Sequence, residues 1–260
     1  GRYPRTTGVR QNGQFLPDGE TLVPRRLAAA GYTCGLAGKL HVSPENLHEG
    51  ERGVTEPARR PDDGYAVFDW SPSPRADRPD HAYRNWLRSE GVELDPDPFE
   101  GSPYVETSVA PEYHQTTWCA DRAIEFVETN AGFDAPWLFS MNPFDPHSAF
   151  DPPRAYLERY LDDHIDLPTP NYEPGELDEK SPFQRIDHRG AYNKEMYEVP
   201  EMDDRDHRLV RAAYYAMVDL IDDQVGRMLD ALDRTGQRED TLVVFMSDHG
   251  ELLGDHGVYL

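Results

Sequence analysis

Three short segments of the chain combine histidines with acidic or basic residues in patterns typical of hydrolytic sites. The segment SDHGELLGDHG, residues 247–257, contains two Asp-His-Gly triplets. An aspartate can bind a hard divalent cation through oxygen, and an adjacent histidine can add a nitrogen ligand. Asp248 and His249 are therefore candidate metal ligands, although the same triplet is also common in turns. Asp255 and His256 are expected to shape the loop.

The other two segments supply a fixed positive charge and proton carriers. Lys39 and His41 occur in GKLH, and Asp145 and His147 occur in FDPH. A lysine can bind an anionic substrate, and histidines exchange protons near neutral pH. Each residue alone is more often a surface or packing residue, so the three segments are informative as a set.

Each polar segment follows a predicted strand. These strands are YTCGLAG at 32–38, Trp137–Met141, and TLVVFM at 241–246, whose last five residues are all apolar. A continuous apolar run of this length is typical of a strand buried on both faces of a parallel sheet. Ligands of open α/β sheets bind beyond the carboxyl ends of the strands. If the strands are neighbours, the polar residues converge on one cleft.

Helical periodicity supports the same fold class. Helices are predicted over 21–31, 111–130 and 204–235, and their alternation with strands predicts an α/β fold with a mostly parallel sheet. The stripe predicted to be apolar in the third helix consists of Val218, Ile221, Val225, Leu229 and Leu232. The stretch 45–110 is rich in Pro, Arg, Asp and Gly and predicts an insertion or lid, and 161–203 is predicted to be loop-rich.

Composition restricts the partners. The 260 residues carry a net charge of −23, which argues against nucleic acid or an anionic membrane. Only three of the 26 basic residues are lysines, which indicates either adaptation to high salt or an acidic protein from a GC-rich genome. The sequence has no run of about 18 apolar residues, so it predicts no membrane span. The chain begins without Met or a signal peptide, as a fragment of a longer protein would, so the compartment is not established, with a cytoplasmic location favoured.

Five blocks of the sequence resemble, in order, the conserved blocks of the sulfatases, members of the alkaline-phosphatase-like superfamily. The blocks are GRYPRTTGVRQNG, LAAAGYTCGLAGKLH, FDPHSAFDPP, AMVDLIDDQVGRMLDALDRTG and DTLVVFMSDHGELLGDHG. The resemblance implies a three-layer sandwich whose central sheet lies between helices, and residues 1–260 would be an incomplete catalytic domain. It also implies hydrolysis of a small-molecule or glycan sulfate ester through a formylglycine nucleophile, with no statement about oligomeric state.

The resemblance also implies roles for individual residues. Asp248 and His249 would bind one divalent cation, with Ca²⁺ expected and Mn²⁺ or another metal open because many sulfatases have Asn at the second position. Lys39 would contact the sulfate oxygens, and His41 would hold the formylglycine hydroxyl. His147 would bind sulfate or protonate the leaving alcohol. Asn12 occupies a position that lines the pocket in some relatives.

Three parts of the family pattern are absent from these 260 residues. The nucleophile motif C/S-x-P-S-R and the first acidic pair of metal ligands are expected upstream of Gly1, and a further pocket lysine just beyond Leu260. Cys34 and Cys119 lie outside the motif and are predicted to be buried structural thiols. The fragment alone is therefore expected to be inactive.

Three other functions stay open. A phosphonate or phosphate mono- or diester hydrolase of the same superfamily shares the Asp-His metal pair, but the phosphonate monoester hydrolases carry Tyr and Thr at the positions of Lys39 and His41. A non-catalytic metal- or glycan-binding homologue would lack the nucleophile motif in the full-length gene. An acidic domain without any site would bind neither Ca²⁺ nor Mn²⁺.

Overall fold

The computed structural model describes residues 2–10, 14, 16–17, 19–42, 64–76, 78–161, 166–191 and 196–259. The chain divides into two compact units. The first unit comprises Gly1–Leu94, Gln115–Phe144 and Asp223–Thr241, and the second comprises Asp95–His114, Asp145–Asp222 and Leu242–Leu260.

The regular elements are named in chain order. The helices are α1 (Pro4–Thr7), α2 (Val23–Ala29), α3 (Ala82–Glu90), α4 (Gln115–Asn130), α5 (Arg154–Leu157), α6 (Pro182–Asp187) and α7 (Asp204–Arg234). The strands are β1 (Thr33–Gly38), β2 (Val67–Trp70), β3 (Asp97–Pro98), β4 (Glu106–Thr107) and β5 (Trp137–Asn142). Among the described helices, none combines the length and apolarity needed to cross a membrane.

The first unit contains a parallel sheet in the order β2-β1-β5. Gly35 of β1 pairs with Val67 of β2 on one side and with Phe139 of β5 on the other. Residues Cys34–Gly38 of β1 are all buried, as expected for the central strand of a covered parallel sheet. The predicted α/β class with a parallel sheet is confirmed, and β1 and β5 are neighbours.

Helix α4 packs directly against the sheet. A Cβ on Gly35 would lie 2.6 Å from the ring of Phe139 and 2.9 Å from the ring of Phe126 on α4, so glycine allows this close approach. Trp118, Cys119, Ala123, Phe126 and Val127 of α4 are buried at helical spacing. The helix predicted over 111–130 is therefore confirmed from Gln115 onward.

The core of the second unit is built mainly around the N-terminal part of α7. Met217 and Leu220 are fully buried there, together with Phe150 and Leu157 from the chain that follows β5. Near the chain end, Tyr259 stacks on Tyr197 at a ring-centroid distance of 5.0 Å. β3 and β4 form a short antiparallel pair in this unit.

The predicted apolar stripe of α7 is wrong at its N-terminal end. Val218 is 43% exposed, whereas Ala216, Met217, Leu220 and Gln224 are buried. Alanines contribute little to an apolar pattern, but their small side chains let the helix backbone lie close to its neighbours. The buried face of α7 therefore includes alanines and differs from the predicted aliphatic stripe. The helix itself ends at Arg234, as predicted within one residue.

The strand predicted at 241–246 is also wrong in the described structure. No strand is assigned there, and the side chains of Leu242, Val244, Phe245 and Met246 are 69–88% exposed. A strand exists only when a neighbouring strand accepts and donates its backbone hydrogen bonds, and no such pairing forms here among the described residues.

Part of the stretch predicted as an insertion or lid contains regular structure. β2 joins the parallel sheet, and α3 follows it within the first unit. The sequence VFDW is too short to show a strand period, and its Asp69 interrupts the apolar run. Residues 45–63 and 77 of this stretch lie outside the described structure. Whether the stretch forms a lid stays a prediction.

Candidate active site

The carboxyl end of β1 positions Lys39 in the first unit. Its backbone nitrogen donates to the carbonyl oxygen of Asn142 at 2.7 Å, and the Asn142 side-chain amide donates to the carbonyl oxygen of Lys39 at 2.9 Å. The Lys39 ammonium lies 4.8 Å from the centre of the Phe144 ring. A cation at this distance from an aromatic face is attracted to the ring. The backbone of Lys39 is thus tied to the end of β5.

A buried polar network connects all three strand ends of this sheet. Ser71, directly after β2, donates its backbone N–H to Gly38 at 2.9 Å and accepts from the Gln115 side chain at 3.1 Å. The Gln115 carbonyl in turn accepts from the backbone N–H of Phe144 at 3.0 Å. Ser71 and Gln115 are at most 1% exposed, so these bonds satisfy groups that would otherwise be costly to bury.

Sequence patterns did not single out Ser71 or Gln115. The sequence gives little indication of their role, because one is a serine after a four-residue strand and the other is a glutamine at the start of α4. His41 follows Lys39 by two residues and is exposed. Asn12, predicted to line the pocket, lies outside the described residues.

In the second unit, His147 is oriented by its own loop. Its Nδ1 is 2.7 Å from the carbonyl oxygen of Ser148, which can only accept a hydrogen bond. Nδ1 therefore carries a proton in this arrangement, and the bond fixes the direction of the ring. The rings of His147 and His249 lie 5.9 Å apart, edge to face. The structure thus brings together two of the predicted site residues.

Asp248 and His249 lie on an exposed loop next to His147. Their side chains are 79% and 55% exposed, and His249 Nε2 lies 3.9 Å from an Asp248 carboxylate oxygen. The backbone N–H of His249 donates to the other Asp248 oxygen at 3.0 Å. The predicted metal ligands are accessible, and their backbone is locally ordered.

A carboxylate oxygen and an imidazole nitrogen fit two positions in the coordination sphere of Ca²⁺ or Mn²⁺. Either cation needs more ligands than these two residues provide. In the part of the chain that the structure describes, no group of three or more His, Cys, Asp and Glu residues could hold a metal ion. Asp248 and His249 therefore fit as part of a cation site and not as a complete one.

The second Asp-His pair of the motif has structural partners. Asp255 forms an ion pair with Arg211 at 3.3 Å and accepts from the backbone N–H of Asn171 at 2.9 Å. His256 Nδ1 contacts a carboxylate oxygen of Glu176 at 2.5 Å. This hydrogen bond is the main reason that the pKa of Glu176 lies below its usual value. These contacts agree with the predicted loop-shaping role.

Glu251, between the two pairs, interacts with a buried tyrosine. Burial, and secondly a hydrogen bond with the Glu251 carboxylate, raise the pKa of the Tyr214 phenol. The phenol therefore stays protonated at neutral pH and can act as the donor. Lys39 and His41 are predicted site residues of the first unit. Their convergence with His147, Asp248 and His249 of the second unit stays a prediction.

The two cysteines are structural in character. Both are buried thiols outside any disulfide, and burial raises the pKa of the Cys34 thiol. Cys119 on α4 faces β1, where a Cβ on Gly38 would lie 3.1 Å from its sulfur. A buried thiol with a raised pKa is a poor nucleophile.

The parallel sheet, with polar residues at its strand ends, is an α/β fold. The structure is similar to that of the phosphonate monoester hydrolase SpPMH from Silicibacter pomeroyi, with a TM-score of 0.76 and 23% identity, over 99% of this chain and 53% of that one. The sequence model of the family described as Sulfatase matches residues 1–260. The chain belongs to the sulfatase family.

Two curated relatives agree with this family assignment. The choline-sulfatase of Rhizobium meliloti (strain 1021) is 29% identical over 266 residues, covering 100% of this chain and 48% of that protein. The arylsulfatase of Clostridium perfringens (strain 13 / Type A) is 27% identical over 250 residues, covering 91% of this chain and 48% of that protein. The chain thus spans about half the length of these relatives.

Proposed function

We propose that the protein containing this chain hydrolyses a sulfate ester to an alcohol and inorganic sulfate. The observation that carries the proposal is the arrangement of His147 beside His249 and Asp248. It places a proton-exchanging imidazole next to two candidate cation ligands, in a member of the sulfatase family. The named choline-sulfatase and arylsulfatase relatives support sulfate esters as the substrate class.

The residues of this chain would act on the substrate by charge and proton transfer. Asp248 and His249 would hold one divalent cation, with Ca²⁺ expected, and the bound cation would supply Lewis-acid polarisation of the sulfate. Lys39 would add a fixed positive charge near the sulfate oxygens. A formylglycine outside these 260 residues would supply the nucleophile, and His41 would hold its hydroxyl.

His147 is suited to protonate the leaving alcohol. Its Nδ1–H bond to the Ser148 carbonyl can persist while Nε2 gains and loses a proton. In the imidazolium form, Nε2 would donate its proton to the ester oxygen as the sulfur–oxygen bond breaks. The neutral imidazole that remains keeps the same orientation for the next turnover.

The decisive experiment compares two aspartates in the same sequence context. Asp248→Asn and Asp255→Asn are introduced into the full-length protein, and turnover of p-nitrophenyl sulfate and bound metal are measured. Asp248→Asn should lose the cation and at least about 100-fold in kcat/KM. Asp255→Asn should keep the cation and lose mainly stability, because its carboxylate pairs with Arg211. Wild-type rates and metal content in Asp248→Asn would sink the ligand assignment.

The second candidate function is hydrolysis of phosphonate or phosphate esters. The likeness of the fold to SpPMH favours this alternative, since that protein is a phosphonate monoester hydrolase. Lys39 and His41 argue for sulfate. Relative kcat/KM for p-nitrophenyl sulfate and p-nitrophenyl phenylphosphonate separates the two, and much faster turnover of the phosphonate would reverse the order of the proposals.

A non-catalytic homologue is the candidate from another class. It would bind a cation or a sulfated glycan and turn over neither ester. Isothermal titration of the full-length protein with Ca²⁺ and Mn²⁺ tests cation binding and also the metal identity, since the imidazole of His249 suits Mn²⁺ better than Ca²⁺.

The acidic surface supports a further proposal about the environment. With a net charge of −23, self-repulsion is strong at low ionic strength, and salt screens it. We propose a cytoplasmic, salt-adapted protein, whose unfolding temperature should rise between 0.1 and 2 M KCl. An unfolding temperature that falls over this range contradicts the salt adaptation.

A further inference from the structure

A buried histidine connects the two ends of the loop that carries His147. His114 is 4% exposed, and its Nδ1 lies 3.6 Å from a carboxylate oxygen of Asp145. The His114 ring also hydrogen-bonds to the backbone of Asp151. Asp145 and Asp151 are the first and last residues of this segment, here called the His147 loop. His114 thus contacts both ends of the loop at its base.

The contacts of His114 are made in a region that excludes water. The Asp145 side chain is 3% exposed, so its charge is held among protein atoms. Burial lowers the pKa of His114, and the charge and hydrogen bond of Asp151 act in the opposite direction. A buried carboxylate and a buried imidazole are costly to separate from their polar partners, because neither can recover its hydration. The two side chains lie against each other at a distance longer than a hydrogen bond, so their shared burial restricts the position of both.

The direction of the His147 ring depends on the conformation of this loop. Its Nδ1 bond goes to the carbonyl of Ser148, a residue of the same loop, so a change in the loop backbone reorients the ring. Phe150, 1% exposed, anchors the loop in the core, and its carbonyl accepts from the backbone N–H of Glu106 at 3.2 Å. The core holds one side of the loop and His114 holds its two ends.

We propose that His114 is a positioning residue that, through Asp145 and the backbone of Asp151, keeps the His147 ring in the orientation that places it beside His249. The inference rests on the proposed role of His147 as proton donor. His114 itself touches neither the substrate nor the cation. Its effect on the reaction passes through the geometry of the His147 loop.

The kinetic test uses the full-length protein with His114→Leu and His114→Asn. His114→Leu should lower kcat by about 10- to 100-fold with KM changed less than about threefold, because a small misplacement of a reacting group is costly. His114→Asn keeps a side chain that can donate and accept hydrogen bonds and should recover part of the loss. In a His147→Ala background, His114→Leu should have no further effect. An equal loss in both backgrounds overturns the proposal.

A second readout does not depend on activity. In protein labelled with ¹⁵N-histidine, the ring nitrogen shifts of His147 report which nitrogen carries the proton. The wild type should show a fixed Nδ1–H form, and His114→Leu should shift His147 toward the mixture found in free imidazoles. Unchanged His147 shifts in a folded His114→Leu variant overturn the proposal even if the protein hydrolyses no sulfate. Loss of activity in His147→Ala, measured separately, tests the proposed function itself.

Two further variants separate positioning from general destabilisation. His81 is another fully buried histidine, and it lies in the first unit. His81→Gln should leave both kcat and the His147 shifts at wild-type values. If His114→Leu does not fold, Asp145→Asn removes the charge at nearly constant shape and should move the His147 shifts in the same direction. Unchanged shifts in Asp145→Asn would also contradict the proposal.

Discussion

Asn142 hydrogen-bonds to both backbone polar groups of Lys39. Its carbonyl oxygen accepts from the Lys39 N–H at 2.7 Å, and its side-chain amide donates to the Lys39 carbonyl at 2.9 Å. The chain therefore leaves β1 in one defined direction. The residue before Lys39 is Gly38, whose positive φ and missing Cβ allow the Asn142 carbonyl to come this close.

Replacing Gly38 by alanine is expected to destabilise the first unit strongly. Gly38 has φ +108°, and a Cβ there would overlap the carbonyl oxygen of Asn142. The overlap must break the bond to Lys39, so Gly38→Ala should cost at least about 2–3 kcal/mol of unfolding free energy. Gly31→Ala is the matched control: φ is +92° but nothing lies within 4 Å of the added Cβ. Equal losses in the two variants would mean that backbone strain alone matters.

Gln237 should contribute more to stability than the ion pairs near it. Its side chain accepts from the Trp137 indole at 3.0 Å and donates to the Val127 carbonyl at 3.0 Å, linking the end of α7 to α4 and β5. Gln237→Ala should cost about 1–3 kcal/mol, because both partners lose a hydrogen bond. Arg227→Ala should cost less than about 1 kcal/mol, although its pair with Asp121 is 2.7 Å long. Chemical denaturation of both variants tests this order.

His81 should make the first unit sensitive to acid. Burial lowers the pKa of this fully buried imidazole to about 4, whereas an unfolded chain binds the proton near pH 6.5. As the pH falls from 6.5 to 4, the unfolded state takes up a proton that the folded state refuses. Stability should therefore fall by on the order of 3 kcal/mol across that range, and be unaffected by this group above it.

Denaturation curves at pH 7 and pH 4.5 test the role of His81. The difference in unfolding free energy between the two pH values should be smaller for His81→Gln than for the wild type. His41→Gln, which removes an exposed histidine of the same unit, should leave that difference unchanged. If both variants behave alike, His81 is not the source of the acid sensitivity.

The exposed run 242–246 should make this 260-residue chain prone to self-association. Its five consecutive apolar residues include Phe245 at 77% and Met246 at 75% exposed, and it contains no proline or charge. Such segments bind hydrophobic dyes and pair with other copies as β-strands. Phe245→Lys should lower dye fluorescence and light scattering. Tyr3→Lys, which removes a lone aromatic residue 83% exposed, should change neither.

The sequence patterns predicted the parallel α/β class, α4, α7 and two of the three strands that were expected to end in site residues. These elements have long or continuous apolar patterns. The segments against which they pack lie within the first or the second unit. The strand at 241–246 failed because an apolar pattern shows that a segment can be buried, and not whether a neighbour is present to bury it.

The residue types of the candidate site came from the sequence, and their roles stay predictions. His147 and His249 are neighbours, although no strand precedes His249 in the described structure. The network of Ser71 and Gln115, and the contact of His114 with Asp145, join residues 31 or more positions apart in sequence. Such polar partners have no period or motif, so only the folded structure reveals them.

The burial of Cys34 and Cys119 gives the first unit a built-in chemical reporter. They are the only cysteines in the chain, and the second unit contains none. A thiol-specific dye can react with them only during moments when the sheet separates from its covering helices. The rate of dye reaction therefore measures how often the first unit opens locally. The second unit has no thiol and does not react with the dye.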